Sequence, residues 1–389
     1  MRRDRGFSLI EMIIATGITA AVVGTLFAIV QPAQGAFDTG LEAADMQQRL
    51  RVAVDALSRD LAMAGAGAYA GGRAGPLIRS FAPVLPFRQG PSRDEAPGTF
   101  RADAITIISV PATAAQTTLA ADLTPASLTL QAVPGPACAA GTNLCGFAPG
   151  MTVAVFDDTG NVDTFTIAAV SDAPAQLTLA ARPADSAGTT YARGSTVVEV
   201  RLHTYALKID AAAQMFQLMH ADGSGNADVP VVDHLVRLAF DYAGEPRPPS
   251  LSEAGTSSYG PAPPAPGTRT NGYPAGENCV FRIDETTGQH VSRLAPLSAS
   301  AALTPLSAAQ LTDGPWCPDE SNGNRWDADL LRVRTIGITL RVEAALSALR
   351  GPAGTLFANA GTARAANRWA PDLEIRVQIS PRNMNVGRR

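Results

Sequence analysis

Arg2-Arg3-Asp4-Arg5-Gly6-Phe7-Ser8-Leu9-Ile10-Glu11 opens the chain and leads into an apolar run that ends at Val30. From Met12 to Val30 no side chain is charged. At about 1.5 Å per residue, these roughly 19 residues are long enough for a hydrocarbon core about 30 Å thick, so the stretch reads as a transmembrane helix. Glu11 lies one turn inside the apolar segment. A carboxylate there is costly in lipid and needs a partner, which marks it as a functional residue. No later stretch is apolar over the roughly 18 residues a span requires, so one span is expected.

Charge sets the orientation. Arg2, Arg3 and Arg5 precede the run, and the first charges after it are Asp38, Glu42 and Asp45. The positive-inside rule then puts the N-terminus in the cytoplasm and everything after Val30 outside. An ordinary secretory signal would want small residues just after the apolar region. Ala33, Gly35 and Ala36 loosely supply them, but that reading leaves Glu11 unexplained.

The residues RGFSLIEMIIA resemble the class III signal of type IV prepilins and of the pseudopilins of type II secretion. The shared features are a short basic leader, a Gly-Phe junction, a Glu five residues into the mature chain and an apolar run of this length. The resemblance implies cleavage by the prepilin peptidase between Gly6 and Phe7 and N-methylation of Phe7. It also implies that Glu11 pairs with the Phe7 amine of a neighbouring subunit during assembly. Loss of the leader, residues 1–6, leaves 28 basic against 34 acidic residues, a formal charge of −6. That balance argues against a nucleic-acid groove.

Beyond the span, Pro32 and Gly35 are expected to kink or loosen the helix. Helical patterning resumes with Phe37, Leu41 and Ala44, then Leu50, Val54, Leu57, Leu61 and Ala64, an amphipathic stripe expected to pack on a globular domain. Gly65, Gly67, Gly71 and Gly72 end it. Arg59-Asp60-Leu61 followed by Met63-Ala64-Gly65 resembles minor pilins of the PilW type. The J-type pseudopilin of type II secretion shares the Arg-Asp-Leu and remains an alternative, as does an adhesin-like subunit at a pilus tip.

After residue 70 the helical period gives way to strands and turns. Ala104–Val110, Ser127–Val133, Met151–Phe156, Asp163–Val170 and Gln176–Ala181 read as short strands. Thr196–Ile209 and Gln214–His220 read as a hairpin, and Val229–Tyr242 as a turn followed by a strand. The Pro- and Gly-rich segment 244–278 reads as a surface loop unable to pack a core. Ser298–Gln310 includes a short helix, Leu331–Ala345 is a long strand of alternating faces, and Asp372–Ile379 is the last strand. The fold class is therefore α+β and pilin-like: a long N-terminal helix packed on antiparallel sheets. Its parts are the leader 1–6, a transmembrane segment 7–30, a periplasmic stalk 31–65 and a β-rich periplasmic domain 66–389.

Four cysteines, Cys138, Cys145, Cys279 and Cys317, fall outside the membrane in this topology, where an even count points to disulfides. Cys138–Cys145 and Cys279–Cys317 is the preferred pairing, because each joins points expected to be neighbours across a loop. The spacings lack the paired C-x-x-C signature of zinc sites. Four widely spaced histidines and the absence of a nucleophile-elbow motif give no case for an enzyme. No cofactor is expected. Asp222 and Asp228 border a run of oxygen side chains that lacks the Gly and bidentate Glu of a calcium loop and that a hairpin turn explains better, and Asp319 and Asp327 belong to an acidic cluster near Cys317. These four are the candidates for a structural calcium ion. The partners implied are the prepilin peptidase, other minor pilins, the major pilin and the inner-membrane assembly platform. The location implied is the inner membrane, and the pilus or cell surface after assembly.

Overall fold

The computed structural model describes residues 8–69, 75–89, 95–112, 115–135, 138, 142–181, 188–210, 215–223, 228–251, 259–269, 271–298 and 302–385, apart from the side chains of 31–34 and 36. The opening apolar run and the amphipathic stretch after it form one helix, α1, Leu9–Met63. The helical backbone continues through Pro32 and Gly35. Proline removes one N–H donor, but helix nucleation is costly only once, so a helix of this length tolerates a single missing bond. Gly65 ends the element. It holds φ at +76°, a left-handed conformation that favours glycine just past a helix C-terminus.

The buried seam of α1 is Glu42, Met46, Leu50, Ala53, Leu57 and Leu61, at steps of three and four, and Ala64 just past its end continues it. The lower half of the expected stripe is thereby corrected: Phe37 and Leu41 are exposed, as is Ala44. Stepping back from Leu50 with the helical period gives Met46 and then Glu42. Because Glu42 is polar, apolar periodicity alone does not find it.

The chain divides into two compact units, residues 1–51 with 341–374 and residues 52–340 with 375–389. In the first, α1 is gripped by polar contacts. The buried Glu42 carboxylate accepts the backbone N–H of Ala345 at 2.6 Å, and Arg49 donates to the Glu343 carbonyl at 3.4 Å. The side chain of Glu343, itself 1% exposed, pairs with Arg350 at 2.7 Å and accepts from Asn359 at 2.9 Å. Phe357 and Trp369 meet edge to face, 5.5 Å apart. Burying carboxylates is expensive unless each is paired and hydrogen-bonded, and here both are.

The second unit contains antiparallel sheets. A five-stranded sheet has the order Val84–Leu85, Ala104–Ser109, Arg201–Asp210, Met215–Ala221, Val229–Asp233. A six-stranded sheet has the order Gln116–Thr118, Thr196–Glu199, Thr152–Phe156, Val162–Asp172, Ala175–Leu179, Thr129–Gln131. Its two edges join through the Leu119–Ala132 bridge, with Ala120 donating to Gln131 and Val133 to Thr118 at 2.9 Å each, so the sheet closes into a small barrel. Closure removes the exposed strand edges. Val153, Val155, Phe165, Ile167, Leu177 and Leu179 fill the interior, two apart along each strand as the pleat requires. The single strand expected over Thr196–Ile209 is in fact two strands in two different sheets.

A four-stranded sheet has the order Thr304–Leu306, Leu235–Gly244, Val333–Val342, Leu373–Ile379. The start of Val229–Tyr242, expected as a turn, is a strand, and the turn sits at His234 with φ +57°. Val333–Val342 is buried on both faces rather than alternating: Arg334, Ile336, Ile338, Leu340 and Val342 fill one, and the smaller Thr335, Gly337 and Thr339 are covered on the other. Arg334 is 1% exposed; it donates to the carbonyls of Leu331 and Val333, lies 3.5 Å from Glu245, and packs 3.9 Å from the centroid of the Tyr259 ring. Tyr259 belongs to the Pro-rich segment. That segment is therefore anchored at its described ends: Gly260 donates to Ile78, and the fully buried Asn278 donates to the Pro261 carbonyl. Ser298–Gln310 contributes a short strand and, at Ala309–Leu311, the start of a 3-10 turn.

Two disulfides are present, Cys138–Cys145 and Cys279–Cys317. The second closes a 38-residue separation and both its cysteines are fully buried. Chain-entropy arguments give such a loop about 4 kcal/mol of stabilisation. We expect Cys279→Ser with Cys317→Ser to lower unfolding free energy by roughly 2–5 kcal/mol in denaturant titrations. Mild reductant should open the more exposed Cys138–Cys145 bond first, as read by thiol labelling and mass spectrometry.

Candidate functional site

Ser8-Leu9-Ile10-Glu11 has the spacing of a capping box, with Ser8 as N-cap and Glu11 at the third helical position. The structure forms it in both directions. The Ser8 N–H donates to Glu11 Oε2 at 2.9 Å, and the Glu11 N–H donates to Ser8 Oγ at 3.3 Å. The acid that looks misplaced in an apolar run thus satisfies the N-terminus of α1, where the helix dipole favours negative charge. Further along, Thr16, Thr19 and Thr25 return their hydroxyl protons to backbone carbonyls three or four residues back at 2.8–3.0 Å. Each polar group is satisfied within the helix, as a lipid environment demands.

Among the described residues, nothing covers this segment. Every residue of Leu9–Val30 is exposed, and Glu11 is its one charged side chain. Leu9, Ile10, Ile13, Ile18 and Phe27 are each at least 60% exposed, and the apolar surface continues beyond the span at Phe37 and Leu41. An unpaired apolar helix of this length is long enough to cross a membrane. Gly6 and Phe7, the expected cleavage and methylation residues, lie outside the described residues.

Residues 1–27 match the prokaryotic N-terminal methylation motif. This motif helix supports a pilin- or pseudopilin-type protein, anchored by its apolar segment, processed by a prepilin peptidase and assembled with other pilins. Comparison with curated proteins gives no match. Within the motif, Glu11 is a carboxylate held at a helix start, and the exposed apolar face is a surface for lipid or other apolar helices to cover.

The calcium candidates do not come together among the described residues. Asp228 is ion-paired with Arg88 at 2.6 Å, and Asp222 is exposed. Asp319 accepts from the Ser321 backbone and hydroxyl at 2.9 and 2.6 Å. Asp327 is 1% exposed and accepts from the Gly314 and Asp329 N–H groups at 2.7 and 2.8 Å. A different set does converge: Asp60, His203 and His220. His220 lies opposite Tyr205 across the hairpin, and His203 is two residues from Tyr205, so both imidazoles share a sheet face. Tyr205 donates its hydroxyl to Asp60 at 2.6 Å. The hairpin and its period-two spacing are visible in the sequence and bring the two histidines together; the contribution of Asp60 from α1 is not. Burial draws His203 below the ordinary imidazole value, opposed first by the Asp60 carboxylate.

Burial pushes Asp327 up to about 7, against the two backbone donors that lower it, and Asp329 up to about 6, with Arg332 opposing. A carboxyl whose folded value exceeds its unfolded one contributes stability at low pH that is lost as pH rises to the folded value. For Asp327 the window runs from about 4 to about 7, with a slope of at most about 1.4 kcal/mol per pH unit. We expect the wild-type unfolding midpoint to fall across this window more steeply than that of Asp327→Asn, measured by thermal denaturation at a series of pH values.

Proposed function

We propose that this chain is a minor pilin of the PilW-like type, a subunit that enters a type IV pilus or its initiation complex through α1. The observation that carries the reading is the methylation motif sitting on a helix whose first 22 residues are wholly uncovered. The N-terminus is cytoplasmic and the sheets are periplasmic until the subunit is extracted into the filament. The Arg59-Asp60-Leu61 and Met63-Ala64-Gly65 stretch at the end of α1 supports the PilW-like assignment over a J-type pseudopilin.

Its mechanism is assembly. In the free subunit the Glu11 carboxylate is held by the Ser8 N–H. After cleavage at Gly6 the new Phe7 amine of a neighbour offers a full positive charge to the same carboxylate. In a low-dielectric helix bundle that ion pair selects one register, because leaving a buried carboxylate unpaired is far more costly than pairing it. Apolar faces of α1 then exclude lipid around the pair, with Phe37 and Leu41 extending the contact beyond the membrane.

Two outcomes test this. Gly6→Leu should leave the precursor uncleaved, seen as an unshifted band on immunoblots; normal maturation would remove the signal assignment. Glu11→Ala should be cleaved normally yet be largely lost from sheared filament fractions and from complexes with other minor pilins. Full incorporation of that variant would count against the ion-pair mechanism. Association of the wild-type chain with a secretion machine instead of pili would move the assignment to the J-type pseudopilin.

A further inference from the structure

Asp60, His203 and His220 have no part in the assembly reading, yet they form the one cluster of three metal-ligating side chains among the described residues. His203 Nδ1 lies 2.9 Å from His220 Nε2 and 3.3 Å from Asp60 Oδ2, and His220 Nε2 lies 3.9 Å from that same oxygen. The point equidistant from these three atoms falls inside their triangle, about 2.0 Å from each, which is the bond length of zinc to imidazole nitrogen and carboxylate oxygen. We propose that Asp60, His203 and His220 bind a divalent transition-metal ion of the zinc type.

The donor chemistry selects the ion. Two imidazoles with one carboxylate suit zinc and its transition-metal neighbours, whereas calcium and magnesium take oxygen ligands. A hydrogen bond satisfies this arrangement less well. His203 Nδ1 has a single proton or a single lone pair for its two neighbours, His220 Nε2 and Asp60 Oδ2, and cannot bond both fully. An ion at the centre would take all three lone pairs together, with the two imidazoles turning toward it from their head-on N···N contact. The Tyr205 hydroxyl, 2.6 Å from Asp60 Oδ2, orients the ligating oxygen as outer-shell donors do in metal sites. The near-parallel imidazole rings, 13° apart, and the Tyr205 ring 4.6 Å from His220 hold the histidines in place.

The site is only partly buried, with side-chain exposures of 16, 18 and 24% for Asp60, His203 and His220, so solvent has a route to the ion. Three protein ligands leave a fourth position for water or an incoming donor group. Asp60 lies in the last turn of α1, and the histidines lie on the Arg201–Asp210 and Met215–Ala221 strands. The ion therefore staples the end of the helix to the hairpin, and binding is coupled to folding because the unfolded chain does not assemble the triad.

The test uses the full chain in detergent micelles, carrying no histidine tag and stripped with chelator. Zinc titration by calorimetry should give one site per chain, and zinc should raise the thermal midpoint while calcium should not. His203→Ala and His220→Ala should each weaken zinc binding by about 100-fold or more, Tyr205→Phe by roughly tenfold, and His290→Ala not at all. Isotope-labelled histidine NMR of the wild-type chain needs no variant: of the four histidines, two should change on adding zinc and two should not. Absence of zinc binding by the wild type, unchanged affinity in both His203→Ala and His220→Ala, or histidine spectra unaltered by zinc would each overturn the proposal and leave a purely hydrogen-bonded cluster.

Discussion

The constraint on which everything else depends is the uncovered apolar surface of Leu9–Val30. A helix with no buried residue over its first 22 is strongly disfavoured in water, and none of the described residues covers it. Lipid or other apolar helices must do so. The polar groups of the segment are already arranged for that environment: threonine hydroxyls bond back to the backbone, and Glu11 is tied to Ser8 in a reciprocal cap. The cap also lowers the cost of a carboxylate near lipid, because each of its interactions is local and travels with the helix.

The second half of α1 obeys a different rule. Its seam is buried at steps of three and four, and the members of that seam are not all apolar. Glu42 shows why. Its carboxylate accepts a backbone N–H and is worth burying only because Ala345 supplies the donor. Phe37 and Leu41, which an apolar count places inside, are instead left outside, continuing the greasy face of the membrane segment. The same helix thus presents two surfaces whose boundary is set by polar partners rather than by hydrophobicity.

The β-rich unit shows a similar division between local pattern and long-range partners. Alternation along the strands marks the interior of the small barrel well, since Val153, Val155, Phe165 and Ile167 stand two apart. Which edges join does not follow from alternation: the Leu119–Ala132 bridge unites strands that are successive along the chain but lie at opposite edges of the sheet. The buried Arg334 is a further case. An arginine in a strand reads as an outward residue, yet it is enclosed by Glu245, two carbonyls and the Tyr259 ring from a segment whose composition reads as open loop. Tyrosine and charge-assisted contacts give that Pro-rich segment an anchor that its composition alone does not predict.

By itself the sequence determined the apolar helix and its length, the α+β class, and the approximate place of most strands. These depend on local period, charge and turn residues, all of which are properties of neighbouring positions. Even the nearness of His203 and His220 was present in the hairpin spacing. Tertiary structure alone decided that Glu42 is inside and Phe37 outside, that Thr196–Glu199 and Arg201–Asp210 belong to different sheets, and that Asp60 completes a triad with the two histidines. Each of those outcomes rests on a partner far away along the chain, and the energy of a buried polar group is set by that partner and not by its own position in the sequence.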